Sequence, residues 1–310
     1  MTDRTPLGPG FLDGGLVHRV PPRVCERLAA RLGAPDLRQV LAARFKERSS
    51  NAWFRGTAGG REIFVKLYAR ADRAAADRAV SAALGAERTT RFLAGGRDEQ
   101  LGEYGVFAWE ELAALPWDTR AAAIAGRLLA SVHDTAAAVV IDAAPQAEPA
   151  QPPEAGYARR LEGLAEQAPD LFARYRGVLT GGWARSVVAQ AQRLAEETAP
   201  VLLHGDYSLR NIARAASGRE LVFDFERADA GLAEEDLGRL WDRELAAIPG
   251  GREAFAAAYR AARAEDPGPP RAPALDFARL SCAVGTLAAA RRTDDPEFEA
   301  EGLTILRALT

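Results

Sequence analysis

The chain has 310 residues, enough for one large core or for a small and a larger lobe sharing a cleft. With 48% hydrophobic and 27% charged residues it has the composition of a soluble globular protein, and no apolar run nears the roughly eighteen residues of a membrane span. A net charge of −3 argues against a phosphate-backbone footprint, so neither nucleic acid nor a membrane is an expected partner.

The opening MTDRTPLGPGF has neither a signal nor a transit pattern, and a cytoplasmic location is the expectation. Pro21 to Gly33 begins on prolines, carries Val24, Leu28 and Leu32 at helical spacing and stops on glycine, which predicts a short amphipathic helix. From Gln39 to Tyr68 the texture is strand, turn at TAGG, then strand through Ile63, Phe64 and Val65 to Lys66. Ala71 to Leu93 predicts one long Ala-rich helix, and Tyr104 to Trp109 another strand. Asp118 to His133 is an amphipathic helix capped by Asp118 or Thr119. Ile141 to Gly156, rich in Pro and Ala, predicts an extended loop, followed by two or three helices to Ala199. Short apolar runs at Val201–Leu203 and Leu221–Phe225 flank a turn, and helices continue to the end. The expected organisation is α+β in two lobes: a small sheet lobe over 1–110 and a mainly helical lobe over 111–310.

Cys25 and Cys282 are isolated, which predicts neither a disulfide nor a zinc site. Lys46 and Lys66 are the two lysines in a chain whose other basic residues are arginine. A lysine kept against that bias suits a phosphate that a compact ammonium can reach and a planar guanidinium cannot. Between two apolar runs stands His204-Gly205-Asp206-Tyr207-Ser208-Leu209-Arg210-Asn211, and thirteen residues after Asn211 comes Asp224 in LVFDFE. Protein kinases carry the same order: an Asp five residues before an Asn, then a metal-binding Asp followed by Phe. Phosphoryl transfer needs a group to accept a hydroxyl proton, here Asp206, and oxygen ligands for Mg2+, here Asn211 and Asp224. His204 reads as a brace of this loop, and His133 as structural.

HGDYSLRN, the DFE triplet, LLASVHD at Leu128–Asp134 and EEDLGRL at Glu234–Leu240 together resemble the aminoglycoside phosphotransferase and choline kinase superfamily, over about Leu41 to Leu309. The resemblance implies a protein-kinase-like fold and transfer of the γ-phosphoryl group of ATP, or GTP, with Mg2+. The acceptor would be a hydroxyl of a small molecule, an antibiotic or other sugar-containing natural product. Asp206 would be the catalytic base and Asn211 and Asp224 the metal ligands. Lys66 would contact the nucleotide phosphates, with Glu87 as its acidic partner and Asp77 as the alternative. The adenine hinge would lie at Phe107, Trp109 and Glu111, working through backbone groups. Ser49, Ser50 and Asn51 would cover the phosphates in place of a glycine-rich loop; Lys46 reads first as a solvated strand end. A peptide Ser/Thr kinase of natural-product assembly and a silent nucleotide-binding module are the competing readings. The acids Glu226, Asp229, Glu234, Glu235, Asp236 and Asp242 suit either a cationic acceptor or a solvated face, diluted by Arg227, Arg239 and Arg243.

Overall fold

A computed structural model describes residues 20–40, 51–143, 151–265, 267–268 and 270–309. Proline at the first turn, where no N–H is needed, starts α1 (Pro22–Leu32), and Gly33 ends it in the left-handed conformation at φ 61°. The buried Val24 and Leu28 of α1 share a core with Phe54, Val65 and Val106 of the sheet. That sheet has five strands: β1 (Arg38–Gln39), β2 (Ala52–Ala58), β3 (Arg61–Leu67), β4 (Phe92–Asp98) and β5 (Gly102–Ala108). All its pairings are antiparallel, in the order β1-β2-β3-β5-β4. The TAGG turn is the expected hairpin. Ala58 pairs with Arg61 across Gly59 and Gly60, at φ 56° and 74°, the positive values that a two-residue hairpin loop requires.

The long helix expected over Ala71–Leu93 is not formed. Helix α2 (Ala71–Leu84) stops at Gly85, φ 69°, and β4 begins at Phe92. Alanine and arginine on both sides of Gly85 conceal the break, whereas the glycines of β4 have a packing reason. A Cβ at Gly95 would come within 2.5 Å of the Arg78 side chain, so the bare backbone admits α2 onto the sheet. Arg78 is then held by Glu103 of β5 at 2.7 Å.

The helical part begins after a short strand, β6 (Leu112–Ala114). Asp118 caps α3 (Thr119–His133), its carboxylate accepting from the Ala121 N–H at 2.7 Å, as expected for that position. The expected loop over 141–156 is narrower, because α4 (Ala138–Ala143) occupies its start and α5 (Pro153–Gln167) its end; residues 144–150 lie outside those described. Helices α6 (Pro169–Thr180) and α7 (Gly182–Glu197) follow. Then come β7 (Val201–Leu203), β8 (Ile212–Ala215), β9 (Glu220–Val222) and β10 (Asp229–Gly231), paired antiparallel as β6-β8-β9 and β7-β10. The chain closes with α8 (Leu237–Arg243), α9 (Gly251–Ala262), α10 (Ala272–Arg292) and α11 (Pro296–Arg307).

Two buried clusters organise this part. One joins α3, α8 and α9 to the β7–β9 region, and the other wraps α5, α6, α7 and α11 around α10. Helix α3 approaches α9 closely because residue 126 is glycine; a Cβ there would run into the Phe255 carbonyl. No helix among the described residues is long and apolar enough to cross a membrane. The result is the α+β two-lobe architecture expected of a kinase-like chain. The segment that carries HGDYSLRN and DFE runs from the end of β7 to the start of β10.

Candidate active site

The apolar strand β7 delivers His204 at its end, and the chain turns sharply through Gly205, φ 78°. No other residue type fits there, since a Cβ would meet the Arg227 carbonyl. The amides of His204 and Gly205 donate to the two oxygens of Asp236, each at 2.8 Å. Asp236 is itself buried and lies 3.2 Å from His133 Nε2, while His133 Nδ1 is 2.7 Å from the Tyr259 hydroxyl. Burial works against the charge on Asp236, but His133, His204 and the loop amides keep its carboxyl below the usual range. His204 is fully buried. Its Nδ1 accepts from the Asp206 N–H at 3.3 Å, so Nε2 carries the proton and donates to the Phe223 carbonyl at 3.0 Å. Both ring nitrogens therefore serve the backbone, which leaves His204 as a brace.

Asp206 thus projects from a loop fixed at several points. Its Oδ1 lies 3.0 Å from Arg239 Nη1 and its Oδ2 2.7 Å from Arg210 Nη2. Asn211 donates from Nδ2 to the Asp206 carbonyl at 2.9 Å, and the Asn211 carbonyl accepts from the Phe223 N–H at 3.1 Å. Asn211 therefore couples the Asp206 loop to the segment that carries Asp224.

Asp224 adopts φ 75°, a left-handed conformation that Asp tolerates better than most side chains at a cost of about 1–2 kcal/mol. That twist separates two neighbours. Phe225 is buried, and its N–H donates to Asp77 Oδ1 at 3.0 Å. The Asp224 carboxylate reaches Lys66 Nζ at 2.6 Å and keeps 41% of its side-chain surface, so it stays available to a ligand in the cleft. Lys66 also meets Asp77 of α2 at 3.0 Å and Glu226. Asn51 donates to Glu226 and accepts from the Ala69 N–H at 3.0 Å. Tyr68 donates its hydroxyl to Asp77 at 2.8 Å.

Three carboxylates thus surround one ammonium. Burial opposes the charge on Lys66, yet Asp224, Asp77 and Glu226 outweigh it and hold its pKa well above the ordinary value. Neighbouring protein around Asp224 opposes its ionisation, but the ammonium of Lys66 outweighs this and keeps its carboxyl below the carboxylate range. Glu226 moves the other way, to about 6, because burial and the neighbouring Asp224 and Asp77 exceed the pull of Lys66. The ligand atoms of Asp77, Asp224 and Glu226 lie within 4.8 Å of one another, a donor set of hard oxygens that suits a divalent cation such as Mg2+.

Of the residues singled out by sequence, Lys66 and Asp224 pair directly, and Asn211 links the Asp206 loop to the segment that carries Asp224. Glu87 does not reach Lys66. It follows the end of α2 and is exposed, and Asp77, in the middle of α2, takes the pairing with Lys66. This corrects the expected register, and its cause is the early stop at Gly85. Ser49, Ser50 and Lys46 lie outside the described residues; Asn51 lies inside and touches Glu226. In the hinge segment, the Phe107 ring is buried against Phe64 and Phe92. Trp109 is covered by the Arg55 guanidinium at 4.1 Å. The N–H groups of Ala108 and Trp109 donate to Arg91 and Glu62 carbonyls at 2.8 and 3.1 Å, and the Glu111 carbonyl accepts from the Ala216 N–H at 3.1 Å.

Sequence reasoning did not place Arg210 or Arg239 on Asp206, nor Asp236 under the loop amides. It left Glu226 undecided between a brace, a substrate contact and a strand end. Arg210 had a readable signal, being four residues from Asp206, but Arg239 and Asp236 arrive from a distant helix.

Residues 41–275 match the model of the phosphotransferase enzyme family. No curated protein matches the chain by sequence. Solved structures match over nearly the whole fold. The GDP complex of aminoglycoside 2'-phosphotransferase-IIIa is 14% identical with a TM-score of 0.64, covering 93% of this chain and 97% of that one. Choline kinase LicA of Streptococcus pneumoniae is 15% identical at 0.61, covering 93% and 96%. An ethanolamine kinase of Plasmodium vivax is 13% identical at 0.60, covering 88% and 82%. At such identities these likenesses concern the fold.

Proposed function

The chain belongs to the phosphotransferase enzyme family, and on that premise we propose that it transfers the γ-phosphoryl group of ATP, or GTP, to a hydroxyl of a small-molecule acceptor. The observation that carries the reading is the coupling of two clusters through Asn211: Asp206 on one side, and Lys66 with Asp77, Asp224 and Glu226 on the other. One offers a proton acceptor and the other charge for phosphates, which is the division of labour that phosphoryl transfer requires.

In this proposal Asp206 accepts the acceptor's hydroxyl proton as the new O–P bond forms and the bond to the β-phosphate breaks, releasing the nucleoside diphosphate. Lys66 contacts the nucleotide phosphates, and Asp77 and Tyr68 keep its ammonium in place. Asn211 and Asp224, with Glu226 as a third oxygen donor, would hold Mg2+, which supplies charge neutralisation on the phosphates. Asn51 would fix Glu226 under the phosphate-covering segment that includes Ser49 and Ser50. The base would lie in the hinge between the lobes, 1–110 and 111–310, at Phe107 to Glu111. Because the amides of Ala108 and Trp109 are already donated within the protein, Glu110 and Glu111 are the part of that hinge backbone we assign to the base. In this proposal the reaction runs in the cytoplasm, where ATP is available.

A sugar-containing natural product such as an antibiotic is an acceptor of suitable chemistry. Structures of the same fold have been solved with kanamycin and with spectinomycin, which supports a pocket large enough for such molecules. The test is Mg2+-dependent ATP consumption by the purified chain across a panel of hydroxylated antibiotics and sugars. Turnover that disappears in Asp206→Asn supports the reading. Turnover unchanged in Asp206→Asn removes it.

A further inference from the structure

Resting on that phosphotransferase reading, we propose that the acceptor is an alcohol bearing an oxyanion, and that Arg210 and Arg239 receive the anionic group beside Asp206. The first observation is the company Asp206 keeps. Arg239 Nη1 and Arg210 Nη2 stand 3.0 and 2.7 Å from its two oxygens. Each guanidinium has five N–H donors in a planar fork, so one bond to Asp206 leaves donors for a second anion. The two differ in freedom. Arg239 keeps 12% of its side-chain surface and lies over the Phe298 ring at 4.8 Å, whereas Arg210 keeps 39%. Arg239 is the fixed half of the cradle and Arg210 the half that can turn toward an incoming group.

Further cations stand close by. Arg243, one turn along α8 from Arg239, reaches Glu301 at 2.9 Å through Nη2, while its Nη1 is buried with no hydrogen-bond partner among the described residues. A buried guanidinium nitrogen left unbonded is costly unless a ligand or water meets it. Arg160 of α5 approaches the same floor, donating to Ser281 Oγ, and the Cys282 thiol lies in the field of Arg239, Asp206 and Arg160 together. Burial and the like charges of Arg210 and Arg243 weaken the hold of Arg239 on its proton, with Asp206 opposing them. An added anion relieves that crowding.

The acidic residues give the converse result. A polycationic aminosugar needs free carboxylates, and the run from Glu226 to Asp242 has few. Glu226 is bound by Lys66, and Glu234 by Arg271 at 2.7 Å. Asp236 serves the loop amides, and Asp242 is held by Arg279 and Arg252 at 2.6 and 3.0 Å. Asp229 and Glu235 have no ion-pair partner among the described residues; burial raises the pKa of Glu235 to about 7, which thins its charge, and leaves Asp229 as the exposed carboxylate of the run. The acids that looked like an attractor for amines are mostly engaged in holding the fold.

The test uses the full chain saturated with MgADP, so that the nucleotide phosphate site is filled. Sodium sulfate, inorganic phosphate, glucuronate, glucose and glucosamine are titrated calorimetrically at constant ionic strength. Sulfate, phosphate and glucuronate are expected to bind, with affinity falling roughly tenfold in Arg210→Gln and further in the Arg210→Gln/Arg239→Gln double variant, as loss of a charge-assisted bond implies. Glucuronate binding without phosphate binding identifies a carboxylate as the preferred anion, and the reverse a phosphate ester. Equal anion affinity in wild type and in Arg210→Gln, with the variant's thermal midpoint confirming that it is folded, overturns the proposal. So does tighter binding of glucosamine than of glucuronate. If the anions bind through these arginines but ATP is never consumed with any acceptor, the phosphotransferase reading fails and the anion site stands.

Discussion

Replacing Asp206 by Asn keeps the shape of the side chain and removes its capacity to take a proton, which makes it the cleanest probe of the proposed chemistry. The turnover number is expected to fall by roughly 10²–10⁴, the usual range for a positioned general base, while the thermal midpoint changes little because the loop is held elsewhere. Asp236, Glu244 and Asn211 do that holding: Asp236 takes the amides of His204 and Gly205, and Glu244 accepts from the Leu209 N–H at 2.6 Å. Single-turnover phosphoryl transfer, read beside thermal unfolding, checks both halves. A second pair of variants separates Asp77 from Glu87. Asp77→Asn is expected to raise KM for ATP because Lys66 and the Phe225 N–H lose their charged partner, and Glu87→Gln to leave it unchanged. Similar KM values for the two variants argue against Asp77 as the partner that matters. At this scale the sequence was readable where spacing is fixed by one short loop: Asp206 and Asn211 are five residues apart, and the apolar run after them returns Asp224. It was unreadable where the partner comes from another helix. Nothing in the spacing ties Arg239 of α8 to Asp206, and Glu226 acquires a role only once β3 brings Lys66 beside it.

Elements were legible in proportion to the punctuation at their ends. The α1 prolines and Gly33, the double glycine between β2 and β3, and Asp118 before α3 each state a boundary with a physical cause. The stop of α2 at Gly85 is signalled only by one glycine within an otherwise helix-favouring run, and the strand after it, FLAGGRD, has too few β-branched residues to look like one. Missing that boundary displaced the acidic partner of Lys66 from Asp77 to Glu87. The same logic of bare backbone gives a stability prediction. Gly126→Ala places a methyl against the Phe255 carbonyl where α3 crosses α9, and destabilisation of about 1–3 kcal/mol is expected by denaturant unfolding. A neutral result means the two helices part freely and α9 is not a fixed support. The turn before α8 gives a pH prediction. Glu235 accepts from the Leu232 N–H at 3.1 Å, and burial raises its pKa from 4.5 to about 7. Between those values the folded state holds a proton that the unfolded state has lost. Its contribution to stability is therefore full below pH 4.5 and disappears as pH rises through 7. In Glu235→Gln the hydrogen bond survives and the titration does not. The difference in thermal midpoint between variant and wild type should widen in favour of the variant from pH 4.5 to 7.5, and a difference that stays flat across that range refutes the assignment.

For the molecule as a whole, the sheet part and the helical part are joined by charge as well as by packing. Lys66 and Asp77 come from the sheet and the helix that crosses it, Asp224 and Glu226 from the helical side, and three carboxylates meet at one ammonium. Further links run alongside: the Val222 N–H donates to the Arg88 carbonyl at 2.9 Å, and Arg219 pairs with Glu110 at 2.5 Å. The two-part organisation was readable from the change in texture after Glu110, because strands and helices differ in hydrophobic period. The tie between the parts was not, since it depends on residues more than a hundred positions apart. That tie makes a prediction about the whole molecule that does not depend on turnover. Lys66→Met preserves the length and bulk of the side chain but leaves Asp77, Asp224 and Glu226 facing one another without a cation. Loss of one partner from a buried ion cluster costs about 3–5 kcal/mol, so the variant should unfold at a lower temperature than wild type. The sign with pH follows from the same charges. In wild type Lys66 has a raised pKa, so its contribution is full below the ordinary lysine value and is lost only as pH rises through the raised one. In the variant the three acids repel, their protonation is favoured, and stability should fall as pH rises from 5 toward 8. Mg2+ has the charge to replace the missing ammonium and hard oxygens to bind. At ten times its dissociation constant it would add about 1.4 kcal/mol to the folded state. Its stabilising effect should be larger in Lys66→Met than in wild type, where the ammonium competes for the same carboxylates, and larger at pH 8 than at pH 5. Calorimetric unfolding with and without Mg2+ at both pH values decides the matter: equal gains in the two proteins would place the cation away from Asp224 and Glu226, the two proposed ligands that Lys66 also binds.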